Sequence, residues 1–313
     1  MEDIVEIEKL SWDGYLDEGL ANIREIKLEK CWLLRRDYDE GGVSGIIVGP
    51  SRSGKTTFIV NLVRSIMKNN PDELIFWRGI ARCQWTYFRL EKVRLLLSTF
   101  QTYEWGDKDR EGLVDIADYV AEVRDCTSAR DFLDNAKPGY VNVFYMPNWQ
   151  QLDFLLALTS RLNKRWITVV MDEVQEIVPP NTRKPLCDWI AAYCNTVGQL
   201  AKNQISYICA TQSYPQVDYQ LRAHMLYWVF MPHARVPSRG FLIKQGPLLT
   251  LPKGWCIIEG KEGFRRIHFY PCKHHADLVV HIRSVEAEAI EHEEEAALIP
   301  AGARSADSML QDH

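Results

Sequence analysis

The chain has 313 residues, 46% hydrophobic, 25% charged and 11% aromatic, which excludes a wholly disordered or collagen-like polypeptide. Thirty-seven basic and 42 acidic residues give a net charge of -5. Eight of the acids lie in residues 284–313 beside a single base, so the remainder is close to neutral and is no histone-like coat.

No run reaches the roughly 18–20 apolar residues of a membrane span, and the acidic start MEDIVEIEKL lacks a signal core. The eight cysteines are scattered without a CxxC pair and read as reduced thiols of a cytosolic protein. Residues 1–42 form an N-terminal extension closed by the turn signal DEGG (39–42). VSGIIVG (43–49) is a β-branched apolar run and predicts a buried strand. A helix is expected from Lys55 to Lys68, with Phe58, Leu62 and Ile66 at helical spacing and NNPD (69–72) as its stop. ELIFW (73–77) predicts a second strand. Residues 78–139 read as mixed and mainly helical, broken at Gly106–Asp107 and Pro138–Gly139. YVNVFYM (140–146) predicts a strand, and Asn148 a cap for a helix reaching Asn163. WITVVMDE (166–173) predicts a strand ending in two carboxylates. Pro185 suits the first turn of a helix to Lys202, whose apolar stripe includes Trp189, Ile190, Tyr193 and Val197. ISYICAT (205–211) and LYWVFM (226–231) predict strands, and residues 255–270 a hairpin. Residues 284–296 suit an acidic helix and 297–313 a disordered end. Alternating strands and helices argue for an α/β fold with a mostly parallel central sheet flanked by helices. The expected organisation is an extension (1–42), one α/β domain (43–283) with an insertion at about 78–140, and an acidic tail (284–313).

GPSRSGKT (49–56) matches G-x-x-x-x-G-K-[ST] in full, between an apolar strand and a helix. Gly49 and Gly54 are expected to allow backbone angles a side chain would forbid, so that successive N–H groups of the loop (Gly49, Ser51, Arg52, Ser53 and Gly54, Pro50 having none to give) face one anion. The helix adds its positive N-terminal end. Lys55 offers a mobile charge to the β- and γ-phosphates of ATP and Thr56 a hydroxyl to Mg2+, while Thr57 suits helix surface better than an assisting role. Asp172 and Glu173 end the apolar run ITVVM, and carboxylates there are costly unless a metal or water network receives them. Asp172 is expected to hold Mg2+ and Glu173 to act as general base on the attacking water. The strand ISYICAT ends in Thr211 and Gln212, which suits either contact with the γ-phosphate or a plain turn.

GPSRSGKTTF, VVMDE and ATQSYPQVDYQLRAH together resemble the HerA–FtsK superfamily of DNA-translocating ATPases, and within it the viral genome-packaging ATPases. LPKGWCIIEG (251–260) is similar to an element near the end of HerA-like domains, with Trp255 where an acid is usual. The resemblance covers about residues 43–260, without residues 78–140. It implies a RecA-like P-loop ATPase of the ASCE type, with the Gln strand between the two Walker strands and Gln212 as sensor. It also implies a homo-oligomeric ring of five or six subunits acting on double-stranded DNA. An arginine completes the neighbour's site: Arg239, in a stretch similar to that of FtsK, or Arg222, which matches the linker of the packaging enzymes. A capsid or portal-vertex protein is the implied partner, and the host cytoplasm or the virion the implied location. With Gly49 so early in the sequence, the β-barrel that precedes the loop in HerA proteins is not expected, and the resemblance then favours packaging. A cellular HerA/FtsK-like translocase and a switch ATPase that moves nothing are the alternatives.

Residues 77–94, WRGIARCQWTYFRLEKVR, intersperse Arg78, Arg82, Arg89, Lys92 and Arg94 with Trp77, Trp85, Tyr87 and Phe88. That pattern suits a nucleic-acid backbone with stacked bases, but suits better an amphipathic helix burying its aromatics with a solvated basic face. The acidic tail could mimic DNA or serve solubility. Cys272, His274 and His275 have poor spacing for zinc.

Overall fold

The computed structural model describes residues 23–110, 112–161, 165–180, 186–237, 240–243 and 245–285. In chain order the elements are β1 (Glu25–Ile26), β2 (Ser44–Val48), α1 (Lys55–Asn69), β3 (Leu74–Arg78), β4 (Val93–Ser98), β5 (Gln101–Asp107), β6 (Glu122–Cys126), α2 (Ala129–Asp134), β7 (Val141–Tyr145) and α3 (Asn148–Thr159). They continue with β8 (Ile167–Met171), α4 (Leu186–Leu200), β9 (Ile205–Thr211), α5 (Tyr219–Ala223), β10 (Tyr227–Phe230), α6 (Gln245–Thr250), β11 (Trp255–Gly260), β12 (Gly263–His268) and β13 (Leu278–Ser284). Short 3-10 turns fill several connections, among them Gln84–Tyr87 and Leu90–Lys92.

Eleven strands form one sheet in the order β1-β12-β11-β10-β2-β9-β8-β3-β7-β4-β6. From β10 to β6 every neighbouring pair is parallel, and β11 and β12 close the other side as an antiparallel hairpin. The central strands are buried along their whole length, as parallel strands covered on both faces must be. Alternate side chains serve opposite cores: Ile47, Ile75 and Val170 pack towards α1, whereas Ile46, Val48, Phe76 and Val169 join the core that includes residues of α3 and α4. The expected α/β architecture with a mostly parallel sheet is the one observed. Among the described residues no helix is long and apolar enough to cross a membrane.

Helix α1 buries Phe58, Leu62, Val63 and Ile66, and stops where the Asn70 N–H returns to the Ile66 carbonyl. Helix α3 differs slightly from expectation. Pro147 is its N-cap and Asn148 its first residue, and it ends at Thr159 rather than Asn163. Pro185 and the tail from residue 286 onward lie outside the described residues.

The larger correction concerns residues 78–139, where β4, β5 and β6 stand among turns and loops and the short α2 is the one α-helix among the described residues. Strands β4 and β6 extend the parent sheet, and β5 pairs antiparallel with β13 along seven residues from Gln101↔Ser284 to Asp107↔Leu278. Val93, Leu95 and Leu97 of β4 point to the core beneath α1. Arg94, on the other face, is buried and ion-paired to Glu122 of β6 at 2.8 Å. At the end of the sheet away from the strand C-termini, Arg36 of the extension makes a buried two-pronged pair with Glu73, both contacts at 2.9 Å.

Candidate active site

Parallel strands β2, β8 and β9 deliver three segments to one edge of the sheet: loop 49–54, the pair Asp172–Glu173, and Gln212. Val48 pairs with Thr211 and Met171 with Cys209, so β9 stands between the strands bearing the loop and the carboxylates. Open parallel sheets bind ligands at this edge.

The loop is shaped by two glycines for different reasons. Gly54 has φ 97°, the left-handed region, and leads directly into α1. Gly49 has no such angle, which corrects the expectation for it. What it lacks is space: a Cβ there would meet Met231 Cβ at 2.6 Å and Ser53 Oγ at 2.7 Å. Arg52 takes the second positive φ of the loop, 64°. Ser51 and Arg52 are exposed along the cleft, while Ser53 is buried with its hydroxyl unbonded among the described residues. Lys55 Nζ donates to the carbonyls of Gly49 (2.6 Å) and Pro50 (3.0 Å), folded back across the loop. Burial pulls its pKa down, and the nearby Asp172 and Glu173 carboxylates oppose this.

Thr56 Oγ1 donates to Asp172 Oδ2 at 3.4 Å. The other oxygen of Asp172 accepts the Glu173 N–H at 3.0 Å. Asp172 is buried, and desolvation raises its carboxyl pKa against the pull of Lys55, Thr56 and Arg78. A hydroxyl and a desolvated carboxylate side by side fit a hard divalent cation that takes its other ligands from phosphate and water, as Mg2+ does. Among the described residues no group of three or more His, Cys, Asp or Glu forms a closed metal cage.

Glu173 has left-handed backbone angles (φ 51°, ψ 48°), uncommon outside glycine and frequent at functional sites. Burial raises its carboxyl pKa to about 7, helped by the neighbouring Glu176 and Asp172 and opposed by Arg78. Sequence reasoning missed two participants here. Arg78 Nη1 donates to the Asp172 carbonyl at 2.9 Å, and its Nη2 pairs with Glu176 at 2.9 Å, so it ties the end of β3 to the carboxylate turn. The signal was present: Arg78 is a charged residue at the end of the apolar run LIFW, just as Asp172 follows ITVVM.

Lys55, Thr56, Thr57, Asp172, Glu173 and Gln212 line one cleft of about 610 Å³. Its far wall comes from the insertion and the stretch before β13, including Arg82, Tyr87, Lys108 and His274. A second cleft of about 750 Å³ opens beside it, between the ends of β3 and β7. The structure thus gathers loop, carboxylate pair and Gln212. Arg222 is not among the residues lining either cleft; it stacks on Tyr214, 4.3 Å from the ring centroid. Arg239 lies outside the described residues.

The basic and aromatic segment 77–94 is no stacking platform. Trp77, Trp85 and Phe88 are core residues, and Trp85 Nε1 donates to Tyr145 Oη at 2.9 Å. Arg78 and Arg94 are buried in ion pairs. Nor is the segment a helix; it runs from the end of β3 through two 3-10 turns into β4. Cys272 and His274 have separate partners. The thiol accepts from Asn61 (3.3 Å) and Arg64 (3.4 Å), and His274 stacks on Tyr87 with ring centroids 3.6 Å apart.

No family model matches the chain. No curated protein matches it in sequence. Solved structures similar to it include the genome packaging NTPase B204 from Sulfolobus turreted icosahedral virus 2, in complex with AMPPCP. That likeness has 12% identity and a TM-score of 0.48, and covers 73% of this chain and 97% of that one. The cytoplasmic domain of the type VII secretion ATPase EccC from Thermomonospora curvata is similar at 12% identity and a TM-score of 0.42 over 75% of this chain, which spans about a quarter (26%) of that one. At such identities the chemistry of the site has to follow from its own residues.

Proposed function

We propose that this chain is an ATP-hydrolysing motor that moves double-stranded DNA and packages a viral genome into a capsid. One observation carries the reading. Lys55 and Thr56, Asp172 and Glu173, and Gln212 come from three neighbouring parallel strands and line a single cleft. The resemblance of the same segments to the HerA–FtsK superfamily supplies the substrate class and the ring.

Each residue has a task in hydrolysis. ATP entering the loop offers Lys55 phosphate oxygens in place of the Gly49 and Pro50 carbonyls it now bonds. Thr56 and Asp172 would hold Mg2+, whose contribution is to neutralise charge on the β- and γ-phosphates. Glu173 takes the proton of the attacking water; a carboxyl raised to about 7 is a matched base near neutral pH. Arg78 and Glu176 fix the turn that aims it. Gln212, at the tip between loop and carboxylates, senses the γ-phosphate. Arg239 or Arg222 serves the neighbouring subunit in a ring of five or six.

The test is ATP hydrolysis by purified protein with and without long duplex DNA. Duplex should stimulate turnover, and Lys55→Ala or Glu173→Gln should lower it by about 10²-fold or more. Turnover that ignores duplex overturns the motor, and hydrolysis unchanged in both variants overturns the site.

A further inference from the structure

The two clefts at the sheet edge share four lining residues: Ser51, Arg82, Glu173 and Gln212. Three of them are the phosphate loop, the base and the sensor already placed around the terminal phosphate. Nothing so far gives the fourth a task.

Two cations near this junction are exposed and unengaged among the described residues, Arg52 of the phosphate loop and Arg82, and only Arg82 lines both clefts. Lys55 bonds two loop carbonyls, Arg78 holds Asp172 and Glu176, and Lys108 is paired to Asp277 at 3.0 Å. The guanidinium of Arg82 is exposed and makes no hydrogen bond or ion pair among the described residues. Its backbone is anchored instead. Arg82 forms a bridge with Val279, its carbonyl accepts from the Gln84 N–H at 2.7 Å, and the carbonyl of Ala81 accepts from the Val280 N–H at 3.0 Å. Cys83 is fastened likewise to Leu278 at 3.3 Å. The segment is thus stitched to β13, which β5 pairs along its length. An unengaged guanidinium on a fixed support, facing a shared cleft with a phosphate loop, is arranged to receive an anion and loses little freedom in doing so.

We infer that Arg82 is a catalytic arginine supplied in cis, contacting the γ-phosphoryl group of a nucleoside triphosphate bound by its own subunit. This rests on the nucleotide-site reading above and adds a residue to it. As the γ-phosphoryl group transfers to water, charge spreads over its equatorial oxygens, and a planar two-pronged donor matches them better than an ammonium. The inference also gives the insertion a purpose: strands β5 and β13 hold this arginine against a site otherwise built from the parent sheet.

The experiment compares Arg82→Ala and Arg82→Lys with wild type in the full chain. It uses equilibrium binding of ADP and ATPγS, single-turnover hydrolysis, and mixtures of Arg82→Ala with Lys55→Ala subunits. Arg82 is exposed, so both variants should fold as wild type. ADP affinity should stay within about twofold, because ADP has no γ-phosphate to contact. The preference for ATPγS over ADP should fall at least tenfold. Hydrolysis should fall about 10³-fold, the scale of known catalytic arginines, and lysine should not restore it. Mixing the two variants should recover no activity, since an intact site has no way to borrow a residue that acts within one subunit. An unchanged ATPγS preference, or activity recovered on mixing, overturns the assignment while Lys55→Ala still abolishes nucleotide binding. If wild type binds neither nucleotide, the site reading itself has failed and the assignment with it.

Discussion

Two glycines of the phosphate loop show how the same residue type answers different demands. At position 54 a side chain would have to adopt φ 97° and press against the Phe269 ring, 3.2 Å away. At position 49 the angle is ordinary and the obstacle is a neighbouring strand. The Met231 Cβ, just past β10, lies 2.6 Å from where a new methyl would stand. Gly49→Ala should therefore destabilise the protein by about 1–3 kcal/mol, as overpacking does, and weaken ATPγS binding by shifting the loop. The clash is with a Cβ and not with a flexible chain end. Shortening the partner by Met231→Ala should not relieve it; Met231→Gly should, once the Ser53 hydroxyl, 2.7 Å from the same point, rotates away. Urea midpoints for the single and paired variants check this. Recovery of stability in the Gly49→Ala, Met231→Ala pair would mean that the loop is limited by something other than this contact.

At the level of elements, most strands that were legible in the sequence are buried on both faces, although the partly buried hairpin 255–270 was legible too and β4, buried throughout, was not. VSGIIVG, ELIFW, ITVVM and ISYICAT are unbroken apolar runs because they sit in the middle of a parallel sheet. The loop and the carboxylate pair were legible because each adjoins such a run. Strands β5 (QTYEWGD) and β13 (LVVHIRS) were not: each has one face to water, and each finds its partner at the far end of the chain. No local period reports a pairing of that kind, so Arg82 and its support stayed hidden as well. The ribbon makes a prediction through its alternation. Val280 is buried and His281, next along, is exposed. Val280→Ala should cost about 2 kcal/mol for two buried methyls and the space they leave. His281→Ala should stay within about 0.5 kcal/mol. Equal losses at the two positions in urea titrations would show that β13 is not seated as described.

At the scale of the whole molecule, the insertion shares its core with the nucleotide site. One apolar cluster joins Phe58, Leu62 and Val63 of α1 to Trp85, Trp105 and the β13 residues Leu278 and Val280. Tryptophans 77, 85 and 105 all lie in it, so their fluorescence reports on the same body that carries Lys55 and Thr56. A chain of this length can unfold in stages when its parts have separate cores. Here the helix that starts at the phosphate loop is packed directly against the segment that was inserted. Fluorescence and far-UV circular dichroism should therefore fall in a single coincident transition. Magnesium and ATPγS at about a hundred times their dissociation constant should raise stability by about 2.7 kcal/mol and move both signals together by several degrees. Lys55→Ala should keep the coincidence and lose the shift. If the two signals separated on heating and nucleotide moved only one of them, the insertion would be an independent body. Its arginine would then have no fixed relation to the phosphate loop.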